Sequence, residues 1–154
     1  MYVWGRLTRV MATLGTRGTL EPGGQNRLAF RCLPSDIDPN RHMNNARYLM
    51  LADLGRFDLF FRSGLMRLCR ERNWTLLMGG VQASYLREIR LWQKFAVRSA
   101  LDAWSGTQIL ARHRFELADG EPAAIVLASA GVYDRSAKAF VPIDVVAAAL
   151  RTWA

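Results

Sequence analysis

The chain has 154 residues, which suffices for one domain with a buried core but not for two. Its 51% hydrophobic and 22% charged residues exclude a disordered or low-complexity protein. The net charge of +8 comes almost entirely from arginine and raises the expectation of an anionic partner. Nucleic acid is not the expected partner, because the arginines fall singly between apolar residues, without zinc-finger spacing or an aromatic RNA-binding motif.

Residues 1–20 are predicted to form a basic amphipathic leader helix. Arginines at positions 6, 9 and 17 alternate with apolar residues at helical spacing, namely Val3, Leu7, Val10 and Leu14. The helix is too short and too charged to span a bilayer, and it lacks the cleavage site of a signal peptide. Two interpretations stay open: packing on the chain's own domain, and peripheral contact of residues 1–17 with a membrane surface.

A breaker, Glu21-Pro22-Gly23-Gly24, is expected to separate the leader from a domain over residues 25–154. Apolar alternation predicts a first strand over 27–33, followed by a long helix over 44–63 and a short helix over 65–72. Four strands are predicted over 74–89, 95–104, 107–117 and 123–133, and a final helix over 144–153. Ser105-Gly106 and Asp119-Gly120 are hairpin dipeptides, so the strands that they join should be antiparallel neighbours.

The long helix decides the predicted fold. Its apolar side chains point in nearly every direction, which is typical of a helix that is buried on most sides. Its few charges can pair along the helix, Asp53 with Arg56 and Asp58 with Arg62. A curved sheet wrapped around the helix is the simplest way to bury it. We therefore predict an α+β hotdog fold, in which an antiparallel sheet of about five strands surrounds a long central helix.

The segment before this helix reads Asp36-Ile37-Asp38-Pro39-Asn40-Arg41-His42-Met43-Asn44-Asn45-Ala46-Arg47-Tyr48. It resembles the signature of the hotdog thioesterases, including acyl-CoA thioesterases of the 4-hydroxybenzoyl-CoA type and plant acyl-carrier-protein thioesterases. The resemblance spans roughly residues 30–142. It implies that the second acid, Asp38, is the catalytic carboxylate. It also implies roles for His42 and Asn44 in catalysis and for four residues in substrate binding: Asn40, Asn45, Ala46 and Tyr48.

The chemistry explains why a carboxylate belongs at this position. Thioester hydrolysis needs a group that attacks the acyl carbon or takes a proton from water, and an ionised Asp38 can do either. Backbone N–H groups between Asn44 and Ala46, at the positive end of the helix dipole, are predicted to stabilise the developing oxyanion. A structural alternative stays open, in which Asp38 opens a turn at Pro39 and Asn44 or Asn45 only caps the helix. Asp36 is interpreted as structural.

Other residues have two interpretations each. His42 either orients Asp38 or the attacking water, as the Asp-x-Asn-x-His pattern of the plant enzymes suggests, or shapes the loop. Relatives often have glycine where this chain has Arg41, so Arg41 is either strained or the loop differs. Gly79 and Gly80 interrupt a strand and mark either an acyl pocket or a sheet bulge. His113 is expected to be an ordinary surface or sheet residue.

No metal or cofactor is expected. Cys32 and Cys69 are too few for a disulfide framework or a metal site and are predicted to be buried free thiols. Such thiols suit a reducing compartment, so a cytoplasmic protein is expected, with membrane-peripheral association left open.

The predicted function is hydrolysis of an acyl-CoA or acyl-carrier-protein thioester. The resemblance implies a homodimer or a dimer of dimers, in which each site borders the partner's strand around residues 78–85. Two alternatives stay open. One is a non-catalytic hotdog protein that binds acyl chains or membranes. The other is an (R)-specific enoyl-CoA hydratase, whose histidine follows its aspartate by five residues, whereas His42 follows Asp38 by four.

Overall fold

The computed structural model describes residues 2–21 and 23–151, with the side chains of residues 2 and 3 left out. The helices are α1 (Tyr2–Ala12), α2 (Asn45–Arg62), α3 (Leu65–Glu71) and α4 (Ile143–Arg151), and short 3-10 turns cover Leu14–Thr16 and Pro34–Asp36. The strands are β1 (Gln25–Arg31), β2 (Trp74–Tyr85), β3 (Lys94–Ser105), β4 (Gln108–Glu116), β5 (Pro122–Asp134) and β6 (Ala139–Phe140). Pro22, in the predicted breaker, and the last residues of the predicted final helix lie outside the described residues.

The strands form one antiparallel sheet in the order β1-β3-β4-β5-β2, and the two-residue β6 pairs with β5. The β3–β4 and β4–β5 hairpins confirm the predicted antiparallel neighbours. Gly106 and Gly120, in their turns, have φ of 57° and 81°, a region that glycine enters without steric cost. β2 was predicted four residues too long at its C-terminal end. It pairs with β5 rather than β3 and forms one edge of the sheet, while β1 forms the other.

α2 packs across the concave face of this sheet, which confirms the predicted hotdog arrangement. Its buried residues include Tyr48, Leu51, Leu54 and Leu59. Gly55 marks the closest approach, since a Cβ there would lie 2.2 Å from Ser99 Oγ on β3. A side chain at this position would displace the Ser99 hydroxyl, which lies 2.8 Å from His113 Nδ1. One stripe of α2 stays accessible beside β2, and Phe57 and Phe61 lie on it.

α1 packs against the domain. Val10 is buried in the same hydrophobic cluster as Tyr48 and Leu51, and Leu7 packs against that cluster. Trp4 and Met11 lie on the solvent-exposed outer face of α1. The interpretation that α1 packs on its own domain therefore holds for the apolar side of the helix. Contact of its outer face with a membrane stays a prediction.

A group of polar residues is buried between α2 and the sheet. Asn26 Nδ2 donates to Asp58 Oδ2 at 2.7 Å and to Gly55 O at 2.7 Å. His113 has no exposed surface, and its Nδ1 lies 2.8 Å from Ser99 Oγ. The expectation that His113 is a sheet residue is confirmed, but the surface alternative is wrong. Burial, with a smaller contribution from the Arg56 cation, lowers the pKa of His113 to about 3, so the imidazole is neutral in the folded protein.

Candidate active site

The loop before α2 is a tight hairpin. Ile37 and Met43 form an antiparallel bridge, Asp38 N–H donates to His42 O at 3.1 Å, and Arg41 N–H donates to Asp38 O at 3.0 Å. Arg41 has a φ of 66°, the left-handed conformation that glycine adopts freely. Of the two expectations for Arg41, the structure shows the strained one, at a cost of about 1–2 kcal/mol for a residue with a Cβ.

This hairpin positions the Asp38 carboxylate. Asp38 Oδ1 accepts a hydrogen bond from Asn40 N–H at 2.9 Å, and its side chain is 14% exposed. His42 Nδ1 lies 3.7 Å from Asp38 Oδ2, beyond hydrogen-bond distance but within reach of an ion pair if the imidazole is protonated. The sequence-predicted residues Asp38, Asn40 and His42 therefore meet in one place, where the carboxylate is partly exposed.

Asp36 stabilises this hairpin through hydrogen bonds of its carboxylate and of its backbone carbonyl. Its carboxylate is fully buried and accepts hydrogen bonds from Leu33 N–H and Arg6 Nη2, each at 2.8 Å. Its carbonyl oxygen accepts from Asn44 N–H at 2.8 Å. Asp36 is thus structural, as expected. The contribution of Arg6 was not predicted, because 30 positions separate the two residues.

The start of α2 has fewer available donors than the sequence suggests. Asn44 is the N-cap, and its Oδ1 accepts from Ala46 N–H at 2.9 Å. Asn44 N–H is itself bonded to Asp36 O. Among the backbone N–H groups of Asn44, Asn45 and Ala46, that of Asn45 has no hydrogen-bond acceptor within the described residues. A single backbone N–H at the positive helix end is therefore available to an incoming oxygen atom.

Two tyrosines pack over the helix start. Tyr48 is buried, and its ring contacts those of Tyr85 and Phe115 with centroids 5.1 Å apart. Burial raises the pKa of Tyr48 to about 12, although a hydrogen bond to the backbone of Ile89 opposes the shift. Tyr85, on β2, donates from its hydroxyl to Asn45 O at 3.3 Å and stays exposed. Tyr85 was not singled out from the sequence, because no spacing within β2 distinguishes it from a surface aromatic residue.

Gly79 and Gly80 lie at an irregularity in β2. The register against β5 shifts between Met78 and Gly80, which is the bulge that the glycines predicted. A Cβ at Gly79 would lie 3.1 Å from Ser129 Oγ, so a side chain there would crowd β5. A contact of these two glycines with an acyl chain stays a prediction.

In residues 2–21 and 23–151, no group of three or more His, Cys, Asp or Glu side chains is arranged to hold a metal ion. No described helix combines the length and the apolar character needed to cross a bilayer. Cys32 and Cys69 are buried free thiols, as predicted, and burial raises the pKa of each to about 11.

Comparison with known proteins identifies a family match and several relatives. Residues 32–150 match a family described as the thioesterase-like superfamily. The chain is 40% identical to Protein THEM6 of Xenopus laevis over 83 residues, which are 54% of the chain and 40% of that protein. It is 34% identical to Protein THEM6 of Danio rerio over 98 residues, 63% of the chain and 48% of that protein. The chain thus spans less than half the length of these two relatives.

Solved structures show the same fold at low sequence identity. The probable thioesterase YbaW of Escherichia coli has a TM-score of 0.72 at 19% identity, with 77% of this chain and 90% of that chain covered. The protein SAV2348 of Staphylococcus aureus, solved in complex with CoA, has a TM-score of 0.69 at 14% identity, with 85% and 84% covered. A 1,4-dihydroxy-2-naphthoyl-CoA thioesterase from Synechocystis has a TM-score of 0.69 at 8% identity, with 82% and 95% covered.

Proposed function

The chain belongs to the thioesterase-like superfamily, and we propose that it hydrolyses an acyl thioester carried by CoA or by an acyl carrier protein. The observation that carries the proposal is the accessible Asp38 carboxylate, held by Asn40 N–H at the entrance to α2. The superfamily match and the CoA complex of the structural neighbour SAV2348 support a CoA thioester as substrate.

The proposed reaction uses Asp38 in one of two roles. As a general base, the carboxylate removes a proton from water while the water oxygen bonds to the acyl carbon. As a nucleophile, a carboxylate oxygen bonds to that carbon directly, and water then cleaves the acyl-enzyme. In both cases the C–S bond breaks, the carbonyl is restored, and the thiolate leaves and takes a proton. Asn45 N–H is positioned to donate to the carbonyl oxygen as it gains charge.

The remaining predicted site residues take supporting roles in this proposal. Asn40 and Asn44 orient the loop and the helix start through their hydrogen bonds. Ala46, which is exposed, follows Asn45, whose N–H is the proposed donor. The buried Tyr48 ring packs against Phe115 and so fixes the first turn of α2. His42, whose Nδ1 lies 3.7 Å from Asp38 Oδ2, orients the carboxylate in this proposal.

We also propose a homodimer formed through β2. Among the described residues, only β5 pairs with this twelve-residue edge strand, and four of its apolar residues are 43–49% exposed: Leu77, Met78, Val81 and Tyr85. A long apolar edge of this kind invites pairing with another strand, and a two-fold arrangement would cover both copies. Because Tyr85 contacts Asn45, the partner's edge would lie beside the Asp38 loop. A dimer of dimers would add a second interface.

A second candidate function is acyl binding without hydrolysis. The strained Arg41 and the single available N–H donor favour it, since catalytic loops of this type usually offer more than one donor.

We further propose a cytoplasmic location, with peripheral membrane contact through the outer face of α1. The exposed apolar side chains of Trp4 and Met11 support that contact.

The test of the proposed function is thiol release from a panel of acyl-CoA and acyl-carrier-protein esters. Asp38→Asn should lower turnover by at least about a hundredfold, the usual contribution of a positioned base. The fold should survive, because Asn can also accept the hydrogen bond from Asn40 N–H. Asp144→Asn, in the exposed first turn of α4, is the matched control and should keep full activity. Full turnover by a folded Asp38→Asn protein would contradict the assignment.

A further inference from the structure

A cavity of about 430 Å³ lies beside the C-terminal half of α2, where α3 and the first residues of β2 enclose it. Its walls are largely apolar and include Phe57, Phe60, Met66, Leu77 and Met78. The volume is typical of small-molecule sites, and such walls suit a hydrocarbon chain. Phe57, Leu77 and Met78 are also exposed, so the cavity opens to solvent along the β2 edge.

The same cavity is lined by three arginines, and no aspartate or glutamate of the described chain lines it. Arg56 is only 9% exposed. Its Nη2 contacts Asp53, whereas its Nη1 is buried and lacks a hydrogen-bond acceptor within the described residues. A buried N–H without an acceptor costs free energy that an added carboxylate oxygen would recover.

The other two arginines, Arg70 and Arg135, are exposed. Neither lies within ion-pair distance of a carboxylate in the described ranges. The acidic residues nearby already have partners: Glu71 pairs with Arg67, and Asp134 accepts hydrogen bonds from the Trp74 indole and from two backbone N–H groups. The cavity therefore combines an apolar interior with an uncompensated positive charge.

The cavity lies in line with the proposed catalytic loop. Asn45 and Arg56 are eleven positions apart on α2, about 16 Å along the helix axis. β2 runs beside α2 over the same span, because Tyr85 contacts Asn45 at one end while Leu77 and Met78 line the cavity at the other. An extended acyl chain whose thioester lies at Asn45 would place its far end among the arginines.

We propose that this cavity binds a carboxylate at the far end of the acyl chain, so that the preferred substrates are thioesters of long α,ω-dicarboxylic acids. The proposal rests on the proposed thioesterase function for its substrate, but binding in the cavity can be tested without hydrolysis. Planar guanidinium groups bind carboxylates through paired hydrogen bonds, and a methyl end offers them nothing to bind.

The first experiment measures binding by calorimetry. Sodium dodecanoate presents an alkyl chain that ends in a carboxylate, and dodecyltrimethylammonium presents the same chain with the opposite charge. The wild-type protein should bind dodecanoate at least about tenfold more tightly, the scale of one charge-assisted hydrogen bond. The Arg70→Gln/Arg135→Gln variant should weaken this preference and the addition of Arg56→Met should remove it, whereas Arg27→Gln, an exposed arginine on β1, should keep it. Equal binding of both probes by the wild-type protein, or a preference that survives in the triple variant, would overturn the proposal.

The second experiment compares kcat/KM for dodecanedioyl-CoA and dodecanoyl-CoA. The wild-type protein should favour the dicarboxylic ester about tenfold or more, and Arg70→Gln/Arg135→Gln should reduce that preference by lowering kcat/KM for dodecanedioyl-CoA. Arg56→Met provides a second variant from inside the cavity, with its fold checked by circular dichroism. Asp38-dependent hydrolysis without the preference would refute this inference alone. Arginine-dependent binding of dodecanoate without hydrolysis of any ester would refute the proposed function and support the cavity.

Discussion

The buried ion pair between Arg6 and Asp36 makes a sharp prediction about α1. Arg6 Nη2 donates both to Asp36 Oδ2 and to Arg31 O, each at 2.8 Å, and the Asp36 side chain has no exposed surface. Arg6→Met keeps the length of the side chain but removes the cation from a desolvated carboxylate. Removal of one partner of such a buried ion pair lowers the free energy of unfolding by about 3–5 kcal/mol. The 11% exposure of Arg6 favours the lower end, about 3 kcal/mol of the free energy of unfolding.

Turnover should fall together with stability, because Asp36 belongs to the hairpin that carries Asp38, the proposed catalytic residue. Its carbonyl oxygen accepts from Asn44 N–H, and it precedes Asp38 by two positions. A displaced Asp36 would therefore loosen both the carboxylate and the helix start. We expect Arg6→Met to lower kcat more than it raises KM, since the hairpin holds reacting groups rather than the acyl chain.

The assay is urea unfolding followed by circular dichroism, with Arg9→Met as the matched control on the exposed side of α1. A loss of about 3 kcal/mol should lower the urea midpoint of Arg6→Met by about 1 M or more. Adding Asp36→Asn should recover part of the loss, because a neutral amide no longer needs a cation. A midpoint for Arg6→Met equal to that of Arg9→Met would refute the reasoning.

Three further predictions concern other parts of the chain. His42→Ala should lower turnover less than Asp38→Asn, because 3.7 Å separates the imidazole from the carboxylate; an equal loss would show that His42 acts on the substrate. Val81→Lys, on the exposed edge of β2, should convert the proposed dimer to a monomer of about 17 kDa by light scattering and abolish turnover, and a fully active monomer would contradict the shared site. The His113 prediction concerns acid. Because the folded pKa is about 3, the unfolded chain, with a pKa near 6.5, takes up a proton first as the pH falls. Stability should thus be complete above pH 6.5 and decline towards pH 3, by about 2 kcal/mol at pH 5. His113→Asn should flatten this pH dependence in urea unfolding, and an unchanged slope would argue against the lowered pKa.

Most of the fold could be predicted because its signals are local. The dipeptides at Gly106 and Gly120 specify two hairpins through their left-handed φ angles, and the apolar circumference of α2 requires a sheet around it. The pairing of β2 with β5 could not be predicted in the same way. These strands are joined by no short turn, since β3 and β4 lie between them in sequence, and alternation within a strand does not encode its neighbour. β6 was missed because two residues carry no periodic pattern.

The candidate site likewise combines residues that are close in sequence, which could be predicted, with residues from distant elements, which could not. Asp36, Asp38, Asn40, His42 and Asn44 lie within nine positions, so their mutual geometry follows from one hairpin and one helix cap. Arg6 and Tyr85 reach the same loop from α1 and β2, at sequence separations that no motif covers. Charge on α1 was visible in the sequence, but its use in bracing Asp36 depends on how α1 packs.

The helix start shows why a motif can identify a site and still leave its chemistry open. At the sequence level, Asn44 as a helix cap and the N–H groups near it as oxyanion donors were separate interpretations. In the folded chain they compete for the same hydrogen atoms, because the Asn44 side chain accepts from Ala46 N–H and the Asp36 carbonyl accepts from Asn44 N–H. Each of those bonds fixes the position of Asp38 relative to α2 and removes a donor from the substrate. In the proposed reaction, stabilisation of the oxyanion would therefore depend on Asn45 N–H, the donor that the cap does not use, together with any group that the β2 edge of the partner in the proposed dimer contributes.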